Sequence, residues 1–148
     1  MDAASCATLV RHLDERCADG TSDLKVTLPS TDGLSKLIGP DVVATLASRF
    51  PIVAERSEVK LRRCSAVGEC INFHTDHSLR TMQIPLNGDG DYEGGRLVYA
   101  TKSGLEFPSR PAGSATTHNN RIAHGVTTLA RGVRYGLFFL VLLEGDVN

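Results

Sequence analysis

The 148-residue sequence has no tryptophan, and its three tyrosines and five phenylalanines make up an aromatic share of only 5%. So few rings leave little with which to stack a flipped nucleobase. Charge offers nucleic acid no better footing. Lys plus Arg number 16 against 17 Asp plus Glu, a formal net charge of −1, where phosphate-binding surfaces carry a basic excess. The longest apolar run, Tyr135 to Leu143, is about half of the ~20 residues that a membrane helix needs. Asp2 and an Ala/Ser stretch follow Met1, where a secretory leader would be basic and then apolar. The expectation is a soluble protein, cytoplasmic or otherwise intracellular, with neither nucleic acid nor membrane as partner. Cys6, Cys17, Cys64 and Cys70 make no CxxC pair and no zinc-ribbon spacing. They are read as reduced, mostly buried small hydrophobes.

What is present is globular. Hydrophobic residues are 41% and charged residues 22%, which excludes disorder, collagen-like repeats and coiled coil. A chain of this length buries roughly 70% of its unfolded surface, so a core needs no staples. One domain over 1–148 is expected, with helical support over 1–56 and a β core over 57–148.

The first third reads helical. Leu9, Val10, Leu13 and Cys17 form one stripe of a 3.6-residue period that ends at Ala18-Asp19-Gly20. Gly39-Pro40-Asp41 opens a second helix with Pro40 in the first turn and Val42, Val43, Leu46, Ala47 and Phe50 as its apolar face. From about residue 57 the segments shorten and are punctuated by Gly, Asn and Pro. Strands are expected over 58–65, 70–75, 79–86, 95–101, 113–118, 121–127 and 134–143, which is the pattern of a β-sandwich or barrel.

The densest polar cluster is Asn72-Phe73-His74-Thr75-Asp76-His77. On an extended chain His74 and Asp76 project to one face and can bind one ion from one side, whereas His77 points the other way and is read as a rim residue. Further on, His124 lies between Ile122 and Val126, and Gly125 would let another group approach the backbone. Taken alone, each is a weak signal. The third feature raises them. Arg134 opens the most apolar strand, and an unpaired buried guanidinium costs several kcal/mol. Between Glu106 and Glu144 there is no acidic residue, yet Arg110, Arg121, Arg131 and Arg134 all fall there. A bound anion is the sharper reading of that imbalance. Two histidines and a carboxylate leave metal positions open in the manner of non-haem Fe(II) sites, and a planar guanidinium can hold a carboxylate bidentately.

The stretch from about Leu61 to Leu143 resembles the Fe(II)/2-oxoglutarate-dependent dioxygenases, particularly their prolyl 4-hydroxylase-like branch. The resemblance is carried by Gly68, His74-Thr75-Asp76, Leu86-Asn87, Gly94-Gly95-Arg96-Leu97, Pro111-Ala112-Gly113-Ser114-Ala115, His124-Gly125-Val126 and Gly132-Val133-Arg134-Tyr135, in order and spacing. It implies a double-stranded β-helix (jelly-roll) core and Fe(II) ligation by His74, Asp76 and His124. It also implies that Arg134 pairs with the distal carboxylate of 2-oxoglutarate. With O2 as oxidant, and ascorbate as an auxiliary, the implied activity is hydroxylation of a C–H bond, in a protein or peptide side chain, prolyl among them. A small-molecule hydroxylase, a non-catalytic jelly-roll binding module and a zinc or nickel cupin-like protein are the alternatives. The family often places tyrosines where this chain has Cys64 and Pro85. Cys64, Thr128, Thr116 and Arg63 are therefore candidates for helping Arg134 hold the cosubstrate.

Three further features have blander readings. His118, beside Asn119 and Asn120, is expected at the site entrance or on a loop tip. The run from Asn87 to Gly95 puts no Glu where a calcium loop needs one and is read as a mobile acidic loop. Arg62 and Arg63 are read as solvated arginines that guard a sheet edge. Oligomeric state leaves no trace in the sequence.

Overall fold

The computed structural model describes residues 1–55 and 57–142, so the end of the last expected strand at Leu143, and Glu144 with it, lie outside the described residues. The element order is α1 (Ala3–Asp14), β1 (Asp23–Leu28), α2 (Thr31–Ile38), α3 (Pro40–Arg49) and a 3₁₀ turn (Pro51–Val53). Ten strands follow: β2 (Ser57–Cys64), β3 (Ile71–His74), β4 (Arg80–Pro85), β5 (Glu93–Gly94), β6 (Leu97–Thr101), β7 (Gly104–Glu106), β8 (Thr116–Asn119), β9 (Ala123–Val126), β10 (Leu129–Arg131) and β11 (Arg134–Val141).

The helices begin where side chains can cap them. Asp2 accepts from Ser5 N at 2.8 Å ahead of α1, Ser30 accepts from Asp32 N at 3.1 Å ahead of α2, and Pro40 opens α3, where a missing N–H costs nothing. Between α1 and α2, β1 interrupts the expected helical run. Its alternation of Leu24, Val26 and Leu28 with Asp23, Lys25 and Thr27 has the period of a strand, and its whole length pairs antiparallel with residues 59–64 of β2. Since β1 covers it, β2 is not an edge. Arg62 is held by Asp23 on β1, at 2.7 and 2.9 Å, rather than solvated.

The strands form a five-stranded sheet in the order β1-β2-β11-β4-β8, a four-stranded sheet in the order β3-β9-β6-β7, and a short β10-β5 pair, all antiparallel. The fold is a double-stranded β-helix, or jelly roll, backed by helices. Period-two alternation divides the large sheet. Val59 and Leu61 on β2, Met82 and Ile84 on β4, and Leu137 and Phe139 on β11 are completely buried and belong to one core with Leu9, Leu13, Leu34 and Leu46 of the helices. Each such side chain contributes about 1.5–3 kcal/mol by leaving water. The alternate residues, including Arg62, Cys64, Thr81, Gln83, Arg134, Gly136 and Phe138, face a cavity on the other side of the sheet.

Of the four cysteines only Cys6 is buried; Cys17 and Cys64 are half-buried, Cys70 is exposed, and all four are free. No helix among the described residues is long and apolar enough to cross a membrane.

Candidate metal and anion site

His74 is the last residue of β3 and stands opposite His124 in the β3–β9 register. The two strands lie close because Gly125 has no side chain: a Cβ there would come within 2.7 Å of the Ile71 carbonyl. The group that approaches the Gly125 backbone is thus the neighbouring strand. Asp76 follows in the loop after β3 and turns its carboxylate toward both rings. His74 Nε2 and His124 Nε2 lie 3.6 and 3.5 Å from Asp76 Oδ1, and one ligating atom from each residue falls within 4.8 Å of the others.

Hydrogen bonds on the far side of each group set its orientation. His74 Nδ1 meets the Asn72 carbonyl at 2.8 Å and His124 Nδ1 meets the Ile122 carbonyl at 3.2 Å. A carbonyl only accepts, so each Nδ1 carries the proton and each Nε2 presents its lone pair inward. Burial pushes the His124 imidazole below its ordinary value, further keeping it neutral, although the Ile122 carbonyl opposes the shift. Burial alone would raise the Asp76 carboxyl. Hydrogen bonds from His118 and Thr81, with the neighbouring imidazoles, outweigh it and hold the group at about 2. His118 Nε2 donates to Asp76 Oδ2 at 2.9 Å, and Thr81 Oγ1 donates to the same oxygen. Oδ1 is left to face the two imidazoles. Two imidazole nitrogens and one carboxylate oxygen, converging from one side, form a donor set that fits Fe(II) with positions left open.

His118 is therefore neither at a loop tip nor at the entrance. It lies on β8 opposite Thr81, its side chain is 3% exposed, and its Nδ1 is 3.2 Å from the Tyr99 hydroxyl. The sequence held one signal for this: Thr116 and His118 share the parity of an inward-facing strand. His77 is exposed, as a rim residue should be.

The triad opens on a cavity of about 180 Å³, below the ~300 Å³ at which drug-sized pockets begin and suited to a small metabolite. His74, Asp76, His124, Arg110 and Arg134 all line it. Arg134 opens β11 above Gly95, where a Cβ would come within 2.6 Å of its Cδ, and its guanidinium lies 5.7 Å from the centre of the Tyr92 ring. Among the described residues no carboxylate lies within ion-pair reach of Arg134, and its Nε is buried without a partner.

Of the four expected helpers, Cys64 lines this space and Thr116 lies on the same side of the large sheet. Cys64 sits opposite Arg134 in the β2–β11 register. Thr116 shares the face of His118, and its hydroxyl is buried without a partner. The other two are corrected. Arg63 follows strand parity to the helix face, where it binds Asp14 of α1 at 2.8 Å and lies 5.8 Å from the Tyr135 ring. Thr128 is exposed before β10, and only its carbonyl is engaged, by Gly95 N at 2.9 Å. The acidic run at 87–95 is tied down. Asp91 accepts from Gly88 N at 2.7 Å, and Asp89 accepts from Tyr92 Oη at 2.8 Å and from Arg110 N at 3.2 Å.

No family model matches the chain. A PKHD-type hydroxylase of Pseudomonas paraeruginosa is 26% identical over 129 residues, which cover 76% of this chain and 57% of that protein. The chain thus spans little more than half the length of this curated relative. Among solved structures, a Pseudomonas putida prolyl-4-hydroxylase superposes with a TM-score of 0.72 at 15% identity, over 97% of this chain and 89% of that one. A prolyl hydroxylase from Trichoplax adhaerens, in complex with a hypoxia-inducible-factor peptide, superposes with a TM-score of 0.67 at 14% identity, over 96% and 78%. In sequence the chain is similar to PKHD-type hydroxylases, and in fold to prolyl 4-hydroxylase-like 2-oxoglutarate/Fe(II) oxygenases.

Proposed function

We propose that this chain is an Fe(II)- and 2-oxoglutarate-dependent oxygenase that hydroxylates a C–H bond of a protein or peptide side chain, prolyl residues among its targets. One observation carries the reading. A two-histidine, one-carboxylate cluster shares a small cavity with an arginine that no described acid neutralises. The peptide substrate class is supported by the likeness in sequence to hydroxylases and in fold to a prolyl hydroxylase that binds a peptide.

When bound, Fe(II) together with 2-oxoglutarate supplies the O2 activation that none of the twenty side chains can perform. Ascorbate is the expected auxiliary. The chain's own residues bind and orient. His74 Nε2, His124 Nε2 and Asp76 Oδ1 hold the ion, and the hydrogen bonds to the Asn72 and Ile122 carbonyls keep the two rings in the ligating tautomer. His118 and Thr81 occupy Asp76 Oδ2 and so direct its other oxygen inward. Arg134 holds the cosubstrate's distal carboxylate, with Cys64 opposite it. The apolar walls, Leu97, Val126 and Phe138 among them, limit the water that reaches the reacting end. Residues 1–148 act as one catalytic domain, and four free cysteines suit a reducing, intracellular setting.

The test needs no substrate. Fe(II) and 2-oxoglutarate, added without oxygen, should give a saturable visible charge-transfer band that the His74→Ala variant lacks. Tight binding of another divalent metal with no such band would replace this reading with that of a binding module.

A further inference from the structure

Arg110 lies in the turn between β7 and β8, within the sequence Phe107-Pro108-Ser109-Arg110-Pro111. Pro111 biases Arg110 toward an extended backbone. Its N–H donates to Asp89 Oδ2, which locks the residue in place. The side chain then runs into the cavity that holds the triad and Arg134, and the residue is only 3% exposed. Asp89, the acid nearest its backbone, spends its oxygens on that N–H, on Tyr92 Oη and on Arg96, 3.2 Å away.

Among the described residues the Arg110 guanidinium makes no ion pair, and its Nε is buried with no hydrogen-bond partner. Arg134, in the same cavity, has an orphaned Nε as well. Burial first, and then the charge of Arg134, push the Arg110 guanidinium below its ordinary value, so the two cations repel each other across the cavity. Arg62 is the third arginine of the lining, but Asp23 already holds it through two hydrogen bonds. Arg110 is buried and Arg134 half-buried with its Nε inside; without counter-charge the pair raises the free energy of the pocket, and an anion placed between them removes that burden.

We propose that Arg110 and Arg134 form a two-guanidinium seat for one carboxylate of the cosubstrate, with Arg110 supplying a second set of charge-assisted donors to the group that Arg134 holds. This rests on the 2-oxoglutarate reading above and adds a specificity-determining residue to it. The seat selects for a carboxylate at the far end of the cosubstrate, since a neutral group there would leave both cations without a counter-charge.

The experiment is anaerobic calorimetry of 2-oxoglutarate binding to the Mn(II)-loaded full chain, for wild type, Arg110→Met and Arg134→Met. The melting temperature of each without cosubstrate is measured alongside. Arg110→Met should bind 2-oxoglutarate at least tenfold more weakly than wild type. It should also melt at a higher temperature than wild type in the absence of cosubstrate, because an uncompensated buried charge has been removed. A purely structural arginine would do the reverse, with a lower melting temperature and unchanged affinity, and that result overturns the proposal. If wild type binds and Arg134→Met does not, while Arg110→Met binds within twofold of wild type, the seat is wrong and the 2-oxoglutarate reading stands. If wild type does not bind 2-oxoglutarate, both fall. Should Arg110→Met fail to fold, Arg110→Gln carries the same expectation, a tenfold loss supporting the seat and wild-type affinity overturning it.

Discussion

The two ends of the cavity are built on opposite plans. At the histidine end the polar groups are held by partners within the protein. Both imidazoles rest on backbone carbonyls, and Asp76 is gripped through one oxygen by His118 and Thr81. At the arginine end, Arg110 and Arg134 have orphaned Nε atoms and no carboxylate among the described residues. The first end is preorganised: a metal finds its ligands already aimed and little ordering left to do. The second is charged and unsatisfied, a state that only an anionic ligand relieves. An outer hydrogen-bond network therefore marks residues that must hold still, and a missing counter-charge marks those that wait for a ligand.

Substitutions at each end sharpen this contrast. Asp76→Ala should have the largest effect. One ligand of three is lost, and with it the site's only negative charge, so Fe(II) or Mn(II) affinity should fall by more than ~100-fold while the circular dichroism stays native. Near wild-type metal affinity would dissolve the triad. Arg134→Ala should leave metal binding intact and weaken 2-oxoglutarate by roughly 30-fold or more, the loss of a charge-assisted pair in a sheltered site. Equal weakening of metal and cosubstrate would mean that the two ends are not separable. His118→Ala acts through Asp76 and should lower metal affinity about 10-fold, the lower range for an outer-sphere partner, with cosubstrate affinity following only as far as metal occupancy falls. Arg63→Ala should have the smallest effect. It removes a contact with Asp14 on the helix face, at a cost of up to about 1 kcal/mol in thermal unfolding, and should leave 2-oxoglutarate affinity unchanged. A change in cosubstrate binding there would contradict the parity argument that takes Arg63 out of the cavity.

Much of the site was legible because its elements are local. His74 and Asp76 are two residues apart, and strand periodicity pointed both to one face, although Asp76 falls in the loop just after β3. The absence of acids around Arg110, Arg121, Arg131 and Arg134 was also readable, and it pointed to an anion. What it did not tell was which arginines are buried. Arg121 and Arg131 are exposed, and Arg131 pairs with Glu93, whereas Arg110 and Arg134 line the cavity. The helpers show a different limit. Adjacent Arg63 and Cys64 cannot share a face of one strand, so the sequence alone could have separated them once Leu61 of the same strand was taken to face the core. In the first third, the alternation at Leu24, Val26 and Leu28 was readable, but the helical stripes on either side masked it.

Composition, the His-x-Asp spacing, the distant His124 and the arginine that opens the last strand were properties of the chain itself, since each depends on residue type and short-range periodicity. Tertiary structure alone decided that His118 grips Asp76 across 42 residues of sequence and that Arg110 points inward beside Arg134. It also decided that Arg62 is neutralised by a strand 39 residues away. Those facts turn on which strands pair and which loop closes over the cavity. Such long-range contacts are chosen by the packing of the whole core, and no local pattern in the sequence records them.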